Sequence, residues 1–296
     1  MRWRVYLELL KVAATGWIHN RAPSIGAALA FYSAFTMAPL LIIVISMAGW
    51  IFGVDAARGA IDTQLMSVMG PAAAGAVRAL VAGAQSKSSG LVATIVGVIT
   101  LLIGATTVLV EVQYALDRIW NVPLREGVRT LLRSRVVSLG LILGIGFLLL
   151  VSVVLTAALT MFTKKWGHAL PGFSSALYVL HLILALSMIT SLIAMLYKWL
   201  PNTPIVWRDV WIGALMTAVL FYAGQLAISF YLSYRAIGSA YGAAGAMVVM
   251  LSWLYFSAQI FLFGAEFTHA YSQRSKAIGA DCMSTEGVVL AQPPAR

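Results

Sequence analysis

Charge is scarce in this chain, and so are the residues that usually carry chemistry. Of 296 residues only ten are Asp or Glu, four are His, and Cys282 is the one cysteine. A lone thiol excludes an internal disulfide and any cysteine-based metal cluster. His19, His168, His181 and His269 are scattered, with neither His-x-x-His nor His-Glu-x-x-His spacing, so no metal site is expected. A G-x-S-x-G elbow, a P-loop and a phosphate-cradling glycine run are missing too. No cofactor is expected, and the chain reads as a non-enzyme. Charged residues make up 10% of the sequence, against about 25% in soluble domains. That is too little charge to cover a soluble surface.

What the chain has instead is long apolar runs. Six segments stand out: Ile25–Phe52, Leu91–Val112, Val136–Phe162, Ser175–Tyr197, Val210–Tyr234 and Ala243–Ala270. Each exceeds the roughly 20 residues a helix needs to cross a ~30 Å hydrocarbon layer. The reading is an all-α polytopic membrane protein with six transmembrane helices.

The basic residues fall unevenly between these segments. Fourteen of the 20 lie in the N-terminus, the second and fourth connections and the tail, among them Arg4, Lys11, Arg118, Arg129, Lys198 and Arg274. The other six are Arg58, Arg78, Lys87, Lys164, Lys165 and Arg235. The positive-inside rule therefore places both termini in the cytoplasm of a bacterial inner membrane. The net charge of +10 follows the same distribution, so it points to anionic headgroups and not to nucleic acid. Membrane lipids and envelope proteins are the expected partners, and oligomeric state is not legible.

Three domains organise the chain: residues 1–22 as an interfacial amphipathic helix, 23–272 as the transmembrane domain, and 273–296 as a disordered cytoplasmic tail. In the first, Trp3, Leu7, Leu10, Ala14 and Trp17 form one face and Arg4, Glu8, Lys11 and Thr15 the other. Asn20 to Ser24 should break that helix and restart another, with Pro23 tolerated near the first turn. No compact apolar core with a small-residue cleavage site precedes the first span, so no cleavable signal is expected. Within the loop 54–90, Ile61, Leu65, Val68 and Met69 make one stripe and Val77, Leu80 and Val81 another, split by Gly70-Pro71. Two short amphipathic helices on the external face, resting on the bundle or membrane surface, fit this pattern. Pro39 should kink the first span. Gly140 with Gly144 and Gly238 with Gly242 are small-xxx-small pairs suited to close helix packing.

Ionisable groups inside spans are costly and are the first functional candidates. Glu111 ends the second span and Glu266 lies in the last turns of the sixth, near a predicted boundary and near Arg118 or Lys198. Polar stripes add to them. Ser252, Tyr255, Gln259 and Glu266 share one face; Tyr222, Gln225 and Ser229 share another; Tyr32, Ser33 and Thr36 precede Pro39; Ser187, Thr190 and Ser191 line the fourth span. Two readings remain open. The stripes either line a hydrated cavity or hydrogen-bond between helices.

Four stretches carry a family likeness. They are Ala27–Phe35 leading to Ala38-Pro39-Leu40; Leu200-Pro201-Asn202-Thr203 with Trp207-Arg208 and Gly213-Ala214; Ala240-Tyr241-Gly242-Ala243; and Trp253-Leu254-Tyr255 with Gly264-Ala265-Glu266. In this order the chain resembles the YihY/BrkB family of bacterial inner-membrane proteins, older members of which were labelled ribonuclease BN. The likeness covers roughly residues 10–272. It implies a six-helix inner-membrane protein, with Pro39, Pro201, Asn202, Tyr241, Gly242, Trp253 and Glu266 as family-typical positions and no catalytic role attached to them. Envelope roles and export of lipids or amphiphiles are what the likeness suggests. The expected function is transport or flipping of such a substrate, with Glu266 coupling and Glu111, Tyr32, Tyr255, Gln259 and Gln225 as cavity or coupling candidates. The rival is a non-catalytic structural or assembly protein of the envelope.

Overall fold

The computed structural model describes residues 2–85, 91–123, 173–234 and 242–290, together with the single positions 140, 144 and 151. Every regular element among them is helical. α1 is Arg2–His19, α2 Ala22–Phe52, α3 Val54–Gln85, α4 Leu91–Ile119, α5 Phe173–Trp199, α6 Trp207–Tyr234 and α7 Gly242–Leu290. Four stretches are long and apolar enough to cross a membrane: Ala22–Ser46, Leu182–Trp199, Trp207–Ile228 and Met247–Ala277. They match the first, fourth, fifth and sixth expected spans. The second lies inside α4, and the third, Val136–Phe162, falls outside the described residues apart from positions 140, 144 and 151.

α7 is the axis of the assembly. α1, α2, α3, α4 and α6 all pack on it, while α5 packs on α6. The α6–α7 contact explains how two long helices can touch so closely. An added Cβ at Gly213 of α6 would come within 2.7 Å of Thr268 Cβ, and one at Gly264 of α7 within 2.7 Å of Thr217 Cβ. Each Thr therefore sits in the notch left by the other helix's glycine. Thr217 donates its hydroxyl to Gly213 O and Thr268 to Gly264 O, both at 2.7 Å, so neither buried hydroxyl is left unsatisfied. The expected close-packing pairs lie elsewhere. Among the described residues nothing lies within 4 Å of a Cβ built on Gly140, one on Gly144 meets Met195 at 2.7 Å, and Gly238 is outside the described residues. Spacing alone does not tell which glycines face a neighbour.

Two local breaks fall where the sequence puts them. The turn after α1 runs through Asn20 and Arg21, the latter left-handed at φ 55°, and α2 begins at Ala22 with Pro23 in its first turn. α3 breaks at Gly70, whose φ of 76° and ψ of 168° suit a residue without Cβ, followed by Pro71. Its two arms, Val54–Met66 and Met69–Gly83, meet at 113°.

The second arm packs into the bundle. Met69, Ala73, Ala76 and Val77 are buried in one cluster with Ala30 and Ala34 of α2, Ile228 of α6 and Val249, Met250 and Trp253 of α7. Alanines explain the depth, because their short side chains let the second arm lie close against three neighbours. Asp62 and Arg78 form an ion pair between the arms.

α1 docks on α7 through Leu9 and Ala13 against Phe267 and Ala270, whereas Leu7 of the expected apolar stripe is exposed. Leu10 of that stripe packs against the same cluster. α7 continues to Leu290, past residue 273. A helix already nucleated extends at low cost where no proline intervenes. α2 is helical through Pro39.

Candidate functional site

Among the described residues, the end of the bundle that α1 covers holds the buried carboxylates Glu266, Asp117 and Asp209, and the first two are each gripped by an asparagine distant in sequence. Glu266 of α7 is 4% exposed, and its Oε1 accepts a hydrogen bond from Asn20 Nδ2 at 2.7 Å. α1 approaches closely enough that a Cβ on Gly16 would lie 2.5 Å from Glu266 Oε2. A side chain at position 16 would displace the Glu266 carboxylate from this position. Among the described residues Glu266 forms no ion pair; the expected basic neighbours are committed elsewhere or absent from its contacts. Lys198 donates to Ile205 O and lies 5.4 Å over the Trp207 ring.

Asp117 of α4 is the second carboxylate, 8% exposed. Its Oδ1 accepts from the backbone N–H of Asn202 and its Oδ2 from Asn202 Nδ2, both at 2.7 Å. The motif Leu200-Pro201-Asn202-Thr203 now has a physical role: buried Leu200 and Pro201 seat the loop, and Asn202 fastens it to α4. Asp117 was missed in the sequence because it follows the second span and belongs to no stripe. The turn after it, with Asn121 left-handed and Val122 N–H donating to the backbone oxygen of Asp117 at 2.9 Å, ends α4.

The two carboxylates flank one apolar cluster that includes Ala22, Ile25, Leu116, Tyr197, Leu200 and Leu262. Tyr197 is fully buried and donates to Phe261 O at 2.6 Å, tying α5 to α7. Trp120, three residues past Asp117, stacks at 5.7 Å from His269, three residues past Glu266.

Other candidates are placed as follows. Gln259, two turns from Glu266, donates from Nε2 to Ala22 O at 3.5 Å and lies against Gly26. It therefore shares the α1–α2–α7 seam with Glu266. Tyr255, expected on the same face, packs instead on the cluster that holds α3, next to buried Trp253. Tyr32 is exposed on α2, edge-on to Phe31 at 5.9 Å. Gln225 is half-buried on α6 and Glu111 half-buried on α4. Gly242 opens α7, and Tyr241 lies outside the described residues. Thr190 and Ser191 donate to Leu186 O and Ser187 O of their own helix, and Ser187 to Leu184 O. No group of three or more His, Cys, Asp or Glu side chains capable of holding a metal occurs among the described residues.

A family profile described as Virulence factor BrkB matches residues 13–286. Relatives carry the name UPF0761 membrane protein. One from Pseudomonas paraeruginosa is 31% identical over 88% of this chain and 61% of its own length. One from Tolumonas auensis is 26% identical over 84% of this chain and 80% of its own, and one from Ralstonia nicotianae 25% identical over 90% and 61%. The chain thus spans about three fifths of the Pseudomonas relative. No solved structure matches.

Proposed function

The chain belongs to the BrkB family of membrane proteins, and from that premise we propose that it transports or flips a lipid or amphiphilic envelope substrate across the bacterial inner membrane. Both termini are cytoplasmic in this reading, so the α1 end of the bundle faces the cytoplasm. Membrane lipids and envelope proteins are its partners; nucleic acid is not, and the protein is no enzyme. One observation carries the proposal. Glu266 is buried in an apolar helix and held by a neutral amide, with no cation paired to it among the described residues. Such a group is expensive in a membrane and is retained where it carries protons, ions or substrate. Without a nucleotide-binding motif, the drive would come from an ion gradient or a partner.

The test is lipid movement in proteoliposomes with fluorescent headgroup-labelled lipids and an external quencher, wild type beside Glu266→Gln. Movement in the wild type, lost in a variant that still purifies as a folded protein, is the expected result. Background quenching in both would overturn the lipid reading.

A second reading is a structural or assembly protein of the envelope. The Gly–Thr interlock and the hydroxyls bonded to their own helices favour it, since they use polar side chains for packing alone. Under it, Glu266→Gln lowers stability and leaves no separable transport defect.

A further inference from the structure

Two polar atoms buried in the described bundle have no hydrogen-bond partner, Trp17 Nε1 and Gln259 Oε1. One is a donor and the other an acceptor. Both belong to the seam between the α1–α2 turn and α7. Trp17 follows Gly16, which touches Glu266, and packs on the cluster containing Ala22, Leu262 and Ala265. Gln259 lies seven residues before Glu266 on α7, about 10 Å along the helix. Its amide nitrogen is engaged with Ala22 O, which leaves its oxygen turned from that bond. Buried groups of this kind are normally satisfied by internal water. A water molecule accepts from an indole N–H and donates to an amide oxygen, whereas these two groups make no bond to each other.

We propose that this seam is a proton site: Glu266 binds the proton, and water held by Trp17 Nε1 and Gln259 Oε1 extends the path from Glu266 toward the bilayer interior. The inference rests on the coupling role of Glu266 proposed above and names its ion. A metal cation fits poorly, because Asn20 Nδ2 and Trp17 Nε1 present donors to the seam while oxygen-liganded cations need several acceptors. An anion is disfavoured by the carboxylate. The other titratable or charged groups at this end include His19 and Arg21 beside the hinge, Asp117 and Arg118 of α4, Lys198 of α5, Arg208 and Asp209 of α6, and His269 and Lys276 of α7. Among the described residues none pairs with Glu266. The Glu8–Arg274 pair at 3.5 Å closes the outer edge of the same α1–α7 contact.

The test is pH-difference infrared spectroscopy of the whole chain in lipid, reading the carboxylic C=O stretch, in wild type, Glu266→Gln, Trp17→Phe and Gln259→Leu. Trp17→Phe keeps an aromatic ring and removes only the N–H, so it holds the test if Glu266→Gln fails to fold. The expected result is a deuterium-sensitive carboxylic band that disappears in Glu266→Gln and shifts in frequency or titration midpoint in the other two. Absence of a Glu266 band across the pH range would overturn the proton site. A band unchanged by Trp17→Phe and Gln259→Leu would overturn the water path. Parallel lipid-flipping assays separate the readings. A titrating band in a protein that moves no lipid leaves the proton site standing and removes the flipping function.

Discussion

The α1 half of the bundle and the half that holds α3 are built by different physics. Among the described residues, eight polar or charged side chains are buried, and all but Thr36 lie toward the α1 end: Asp117, Thr190, Asp209, Thr217, Glu266, Thr268 and Ser272. The α3 half is sealed by Ala30, Ala34, Ala73, Ala76 and Val77 around Met69, Met250 and Trp253. Both halves have apolar cores, but the first adds hydrogen bonds between elements far apart in sequence, at Glu266 and Asp117, where the second relies on shape. Polar groups can be buried at low cost only where each finds a partner, and elsewhere close packing of small residues supplies the attraction.

Substitutions that delete a polar partner should therefore hurt the first half, and those that add volume the second. The largest effect expected is from Asp117→Ala, which strips two charge-assisted bonds from the Asn202 loop and should cost about 3 kcal/mol. Thermal unfolding in detergent measures it, and a shift no larger than that of an exposed-site control would break the comparison. Next is Ala73→Leu in α3, where the side chain is fully buried and added atoms should cost about 2 kcal/mol by overpacking. Ala73→Ser, close in volume, should cost less; equal losses for the two would mean that polarity, not shape, governs that half. The smallest effect belongs to Glu8→Gln, which removes the exposed Glu8–Arg274 pair. It should change stability by under about 0.5 kcal/mol, and by less still at high salt.

Much of this was legible in advance. Apolar runs longer than a bilayer's thickness left little choice but membrane helices, and four of the six expected spans are recovered as such helices. The break after α1 and the elbow of α3 were readable because Asn20, Pro23, Gly70 and Pro71 act through their own backbone preferences. The family was readable from motifs, and the profile match bears it out. Glu266 was visible because a carboxylate in an apolar helix is conspicuous.

Partners were not legible. Arg118 or Lys198 was the natural expectation for Glu266, since opposite charges nearby in the topology suggest themselves. Asn20 takes the place, 246 residues away, and Asp117 is held across 85. Helical periodicity fixes which residues share a face, but not which face meets which neighbour. Tyr255 and Glu266 share a stripe and end in different surroundings for that reason. The sequence by itself determined the helices, their membrane character, their breaks and the family, because those depend on local backbone chemistry and on transfer from water to hydrocarbon. Only the tertiary structure decided that α1 clasps Glu266, that Asn202 grips Asp117, and that α3 is buried against three helices. Those outcomes depend on where glycine and alanine leave room for backbones to meet, and that is a property of two surfaces together.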